Sequence, residues 1–160
     1  RSSAASDVYK RQPSKRGDVF RQAAVKALDT LSRNPNGFFL MIEGSNIDKA
    51  AHSNNLEEMM EELLDFDRTA GAVLDWASKH PGTLVVITAD HNTGAFALTG
   101  GSREQGEITG RFGSGSHDGV AVPVYAFGAG SGDFTGIYEN TDIFNKIMNA
   151  LKKGADKPVR

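Results

Sequence analysis

The chain has no cysteine among its 160 residues. That excludes thiol catalysis, thiolate metal sites and disulfides. It leaves the compartment open, because exported proteins can also lack cysteine. An excess of one charge is missing too. The formal net charge is -2, so no global field draws the chain to nucleic acid or to an anionic membrane. Aromatics are scarce at 8%, and a single-strand nucleic-acid surface needs them interleaved with its bases. No apolar stretch approaches the roughly 20 residues of a membrane span. No signal peptide is visible, and a start lying upstream would hide one. Phosphate-binding loops are lacking as well. Gly128-Ala129-Gly130-Ser131-Gly132 follows an apolar run but has neither P-loop lysine spacing nor a GxGxxG pattern. No GxSxG nucleophile elbow occurs.

What is present suits a soluble α/β domain: 39% hydrophobic and 24% charged residues, in a chain long enough for one core. The charge is uneven. Residues 1–33 carry eight Lys or Arg against Asp7, Asp18 and Asp29. Residues 54–67 carry Glu57, Glu58, Glu61, Glu62, Asp65 and Asp67 with no base. Both read as solvated surface.

The pattern along the chain predicts alternating helices and strands. Val19, Phe20, Ala23, Ala24, Ala27, Leu28 and Leu31 recur at helical steps, with Asp18 as the expected cap and Asn34-Pro35-Asn36-Gly37 as the stop. Phe38–Ile42 is five apolar residues long, the mark of a strand buried on both faces. A second helix is expected from about Leu56 to Lys79, with Gly71 as a point of kinking. Thr83–Thr88 is a β-branched strand. Thr93–Leu98 reads as a short strand and residues 99–119 as a long polar loop. Val120–Phe127 is a strand placed at an edge or bulge by Pro123. A last helix is capped by Asn140 or Thr141 and stopped by Gly154. Tight helix–strand alternation argues for an α/β fold with a mostly parallel central sheet.

Ligands in such folds collect beyond the carboxyl ends of strands. The chemistry-bearing residues lie there. Glu43 follows the first apolar run and Asp90-His91 the second. Asp48 and His52 are four apart, which puts them on one face of a helical turn. That suits two ligands of one zinc, and equally a surface ion pair. His117 lies between glycines in Gly115-Ser116-His117-Asp118-Gly119. A satisfied polar pair, a helix cap and an exposed loop histidine are the plain alternatives for these positions. His80 ends a helix before Pro81, and the helix end and solvent account for it.

Four segments carry a resemblance. GFFLMIEGSNIDKAAH at Gly37–His52, TADHNTG at Thr88–Gly94, GSHDGVAVPVYAFGAGS at Gly115–Ser131 and ENTDIFNKIMNAL at Glu139–Leu151 resemble the C-terminal half of alkaline phosphatase. The match covers roughly residues 18–152 in the expected order. It implies a partial three-layer fold and hydrolysis of phosphate monoesters through a phosphoserine intermediate. It implies two Zn2+ and one Mg2+. Asp48, His52 and His117 match the ligands of the first zinc, Asp90 and His91 ligands of the second, and Glu43 a magnesium ligand. Asp118 is a candidate acceptor behind one of the imidazoles. A periplasmic or extracellular location and a homodimer of the full-length protein come with the resemblance.

The chain departs from the family where the chemistry begins. The nucleophilic serine, a metal-bridging aspartate and a phosphate-clamping arginine belong to an upstream portion. Ser45, Ser116, Arg103 and Arg111 do not match them. The 160-residue chain is therefore expected to be inactive alone, with no catalytic nucleophile of its own. Residues 1–12, RSSAASDVYKRQ, resemble a translated sequencing-adapter remnant, a disordered basic tail being the alternative. The expected organisation is an artefactual or disordered tail over 1–17, the phosphatase portion over 18–153 and a loose tail over 154–160. Two other readings stay open. One is another hydrolase or mutase of the wider superfamily, acting on sulfate esters, phosphodiesters or phosphoglycerate. The other is a non-catalytic metal- or phosphate-binding protein.

Overall fold

The computed structural model describes residues 16–155. The expectations for residues 1–12 and for most of the 154–160 tail lie outside the described residues.

Helix α1 spans Val19–Leu31 and buries Phe20, Ala24 and Leu28, a four-residue step along one face. Asp18 precedes it but makes no capping bond. Its carboxylate instead accepts from Arg21 Nε at 2.7 Å. Helix α2 is short, Ser45–His52, and buries Asn46, Ala50 and Ala51. Gly44, ahead of it, leaves room for the Phe66 ring, because a Cβ there would meet that ring at 2.8 Å and force one of them to shift. Helix α3 runs from Leu56 to Ser78 without a break. Its cap is Asn55, whose side chain accepts the Glu58 backbone N–H at 3.1 Å and donates to the Glu58 carboxylate at 3.2 Å. One orphan donor of the first turn is thereby satisfied. The kink expected at Gly71 does not occur. That position is exposed with open space around it, and no proline or inserted group disturbs the ladder.

Helix α3 is the beam of the structure. Near its C-terminal end Trp76 and Ala77 pack with Leu28, and Phe38, Leu40, Val73 and Val85 close over them. Near its start Met59 packs with Ala50 and Ala51, joined by Ile47, Leu56, Phe96 and Phe112. Burying each large side chain contributes about 1.5–3 kcal/mol. Between the two clusters lies a buried ion-pair group. Arg16 Nη2 donates to Glu62 Oε2 at 2.8 Å and also pairs with Asp65. Burial presses the Arg16 pKa down, but the hydrogen bonds and charges of Glu62 and Asp65 outweigh it and hold it above its ordinary value. Glu62 also accepts from Asn46 Nδ2 at 3.3 Å. The group therefore ties α3 to the first turn of α2.

The sheets differ from expectation. Strands β1 (Leu84–Thr88) and β6 (Val124–Gly128) pair antiparallel, from Leu84↔Gly128 to Thr88↔Val124. Strands β2 (Asn92–Thr93) and β5 (His117–Asp118) form a second antiparallel pair, and β3 (Ala97–Ser102) with β4 (Glu107–Arg111) a third. Among the described residues there is no mostly parallel central sheet. Phe38–Ile42 belongs to no strand. Its exposure alternates: Phe38 and Leu40 pack on the Trp76 cluster, while Phe39 is 63% and Met41 74% exposed. An apolar run states that side chains seek burial; a strand also needs a backbone partner, and none of the described residues pairs with this run.

The strand expected over Val120–Phe127 begins only after Pro123, which has no N–H to give a ladder. The expected 99–119 loop holds most of the β3–β4 hairpin, turned at Gly106 with φ +66. Helix α4, Asp142–Ala155, runs through Gly154 rather than stopping there. It is fastened to a short 3-10 turn, Ser131–Phe134. Lys146 Nζ donates to the Asp133 carbonyl and Lys153 Nζ to the Asp133 carboxylate, both at 2.7 Å.

Candidate metal centre

Three side chains meet where α2 ends and the β2–β5 pair begins. One ligand atom each from Asp48, His52 and His117 lies within 4.8 Å of the others. Asp48 and His52 share a face of α2 because they are four residues apart on a helix. The β2–β5 pairing brings His117 to them, with Thr93 opposite His117 and Asn92 opposite Asp118.

The geometry assigns lone pairs. His52 Nδ1 lies 2.7 Å from the Gly115 carbonyl, which can only accept. The proton is therefore on Nδ1, and the Nε2 lone pair faces inward. His52 Nε2 and His117 Nε2 are 3.0 Å apart, and each is 3.5 Å from Asp48 Oδ1. A carboxylate oxygen and two imidazole nitrogens converging in this way fit a borderline cation such as zinc. A fixed Nδ1–H to a backbone carbonyl is what a metal-binding histidine ordinarily has behind it.

His91 joins the group from the side. Its ring stacks on His117 with centroids 3.5 Å apart and an interplanar angle of 23°. Asp90 is exposed, and its Oδ2 lies 3.3 Å from His91 Nε2. Glu43 is exposed, two residues ahead of α2, and stands outside the three-residue group. His80 is elsewhere: its ring stacks on Trp76 at 3.6 Å and its Nδ1 donates to the Trp76 carbonyl at 2.7 Å.

Asp118 does not stand behind an imidazole. It accepts from Asn92 Nδ2 at 2.9 and 3.2 Å, from the Ala95 backbone N–H at 3.1 Å and from the Val120 N–H at 3.0 Å. These bonds clamp the 92–95 turn to the His117 strand. Gly94 completes the turn with φ +81, donating its N–H to Ser116 O at 2.9 Å. A Cβ at Gly94 would meet the Phe112 ring at 2.8 Å and the Ala51 carbonyl at 3.1 Å. Sequence reasoning passed over Thr93. It is buried, and its hydroxyl donates to Asp48 Oδ1 at 2.7 Å while lying 3.1 Å from His91 Nδ1. No residue-type signal marks a lone threonine after Asp-His-Asn.

A helix-borne acid and histidine closed by a histidine on strand β5 define a candidate metal site in a protein of helices and small sheets. The comparisons with known proteins narrow this. Residues 9–110 match the alkaline phosphatase family, and the chain belongs to that family. It is 29% identical to alkaline phosphatase 4 of Bacillus subtilis (strain 168), over 84% of this chain and 44% of that protein. Its fold is similar to alkaline phosphatase from the Antarctic bacterium TAB5, with a TM-score of 0.79 and 40% identity. That similarity covers 86% of this chain and 42% of the other. A mutant of the TAB5 enzyme with Mg bound in its M3 site aligns with a TM-score of 0.78 and 39% identity, over 86% of this chain and 42% of that one. The chain thus spans less than half the length of these relatives. Among the described residues, no helix is long and apolar enough to cross a membrane.

Proposed function

We propose that the chain supplies the greater part of the metal-binding set of a phosphate monoesterase. The observation that carries the reading is the convergence of Asp48, His52 and His117, with His52 held in the ligating tautomer by Gly115 O. Asp48, His52 and His117 would hold a first zinc, Asp90 and His91 would contribute to a second, and Glu43 to a magnesium. Zinc so held supplies Lewis acidity and lowers the pKa of bound water from 15.7 toward about 7.

The chain's own residues have separate tasks in this reading. The two imidazoles are neutral donors, and Asp48 brings a single negative charge, so the first site keeps net positive charge for a phosphoryl group. Asp90 is open to solvent and would offer its carboxylate to the second cation beside His91. In a longer protein that joins these residues to a nucleophilic serine, the serine oxygen would attack phosphorus as the ester oxygen departs and takes a proton. Water would then cleave the phosphoserine, releasing phosphate and restoring the hydroxyl. Exported location, a homodimer and the magnesium site belong to the same proposal and rest on family membership.

The test is hydrolysis of p-nitrophenyl phosphate by the longer protein and by the 160-residue chain, each loaded with zinc and magnesium. The longer protein should turn over, and His117→Ala in it should lose most activity. The 160-residue chain alone should be inactive. Turnover by that chain alone would overturn the assignment of the nucleophile to another segment.

A further inference from the structure

The group that the proposed metal set does not use is Thr93. It is 8% exposed, and its hydroxyl touches both halves of the set. Oγ1 lies 2.7 Å from Asp48 Oδ1 and 3.1 Å from His91 Nδ1.

A hydroxyl has one proton. An ionised carboxylate only accepts, so at 2.7 Å that proton lies between Oγ1 and Asp48. The oxygen then has only lone pairs to offer His91. A short contact to Nδ1 is favourable only if Nδ1 carries its own proton. His91 is therefore held as the Nδ1–H tautomer, and its Nε2 lone pair then faces Asp90 Oδ2 at 3.3 Å, two acceptors that repel unless a cation lies between them. The reverse tautomer would set two lone pairs against each other in a buried site, at the cost of an unmade hydrogen bond.

Thr93 is not free to rotate out of this role. Its branched Cβ stiffens χ1. Its backbone is pinned on both sides: Asn92 and Ala95 bond to Asp118, and Gly94 bonds to Ser116 O. One hydroxyl thus orients Asp48 and sets the tautomer of His91 together.

We propose that Thr93 is a positioning residue that couples the two proposed zinc sites, fixing Asp48 Oδ1 and presenting the His91 Nε2 lone pair through a single bridging hydroxyl. The proposal rests on the metal assignment above, but its first readout does not.

The experiment uses the full chain and three forms: wild type, Thr93→Ser and Thr93→Val. With 15N-labelled histidine, metal-free protein at about pH 8, above the ordinary imidazole pKa, reports the His91 tautomer directly by NMR. Wild type and Thr93→Ser should show Nδ1–H. Thr93→Val keeps the shape and removes the hydroxyl, so His91 should move to a mixture richer in Nε2–H. Zinc titration of the same samples should show a loss of about 10–100-fold for Thr93→Val, the range for partners behind a ligand, and near-wild-type affinity for Thr93→Ser. Wild-type His91 in the Nε2–H form overturns the proposal, whether or not the valine variant folds. So does a folded Thr93→Val with unchanged tautomer and unchanged zinc affinity, or a folded Thr93→Ser as impaired as Thr93→Val. If no form binds zinc, the metal assignment fails, and the tautomer result judges Thr93 by itself.

Discussion

His52 Nε2 and His117 Nε2 face each other across 3.0 Å, from positions 65 residues apart in sequence. Two imidazole lone pairs at that distance repel unless a proton or a cation lies between them. The fold maintains the approach from both sides. Gly115 O holds the His52 ring, and the β2–β5 bridge holds His117. Such a pair held beside an aspartate suits a cation placed between them.

The turn that delivers Thr93 and faces His117 depends on Gly94. Gly94→Ala adds a Cβ against Phe112 and the Ala51 carbonyl at a left-handed φ. The backbone strain costs about 1–3 kcal/mol, and relief requires the turn to move away from α2. Denaturant unfolding should show that loss, with a parallel fall in zinc affinity. Gly71→Ala, at an exposed helical site with open space around it, should stabilise instead, by about 0.5–1 kcal/mol.

Trp76 fastens α1 to α3 in two ways. It fills the Leu28 cluster, and its indole N–H donates to Asp29 Oδ1 at 2.9 Å. Trp76→Ala should cost about 3–5 kcal/mol, read from the unfolding midpoint. Asp29→Ala removes only the hydrogen bond and should cost about 0.5–1.5 kcal/mol. Equal losses would contradict the division between packing and bonding.

Glu62 is buried against Arg16, beside Asp65. Glu62→Ala leaves the guanidinium short of one partner and removes the acceptor of Asn46 Nδ2 at the start of α2. Asp65 still compensates the guanidinium, so the loss in chemical unfolding should stay below the roughly 3–5 kcal/mol of a fully broken buried pair. Because Asn46 lies two residues from Asp48, zinc affinity should fall as well.

The fastening of α4 has a pH sign. The hydrogen bond and charge of Lys153 hold the Asp133 carboxyl below its usual range. Its contribution is complete above the unfolded carboxylate pKa of about 3.9 and disappears as pH falls through the lower folded value. Both groups are solvent-exposed, so the effect is small and weakened by salt. Amide exchange in α4 should quicken from about pH 6 to pH 3 relative to α3, after correction for intrinsic rates. Asp133→Asn should remove that extra dependence.

What the sequence made legible was local. Asp48 and His52 meet because four residues make one helical turn, and α1 and α3 follow from their apolar steps. The partner of a strand is a non-local choice, so Phe38–Ile42 and the direction of β1 against β6 were misread. The hairpin over 97–111 was hidden by its glycines, which weaken a strand pattern while fitting the bends at Gly101 and Gly106. His117 was legible as a residue type, but its register opposite Thr93 was not. That register makes Thr93 part of the site.

Zinc titration of the chain by calorimetry tests the central claim most directly, with His52→Ala, His117→Ala and His80→Ala beside the wild type. Wild type should bind zinc. His52→Ala and His117→Ala should each weaken binding by more than about 100-fold, beyond what removing a supporting residue does. His80→Ala, whose ring only stacks on Trp76 and bonds its carbonyl, should bind as wild type does. Undiminished zinc binding by His117→Ala, or equal damage from His80→Ala, would contradict the account.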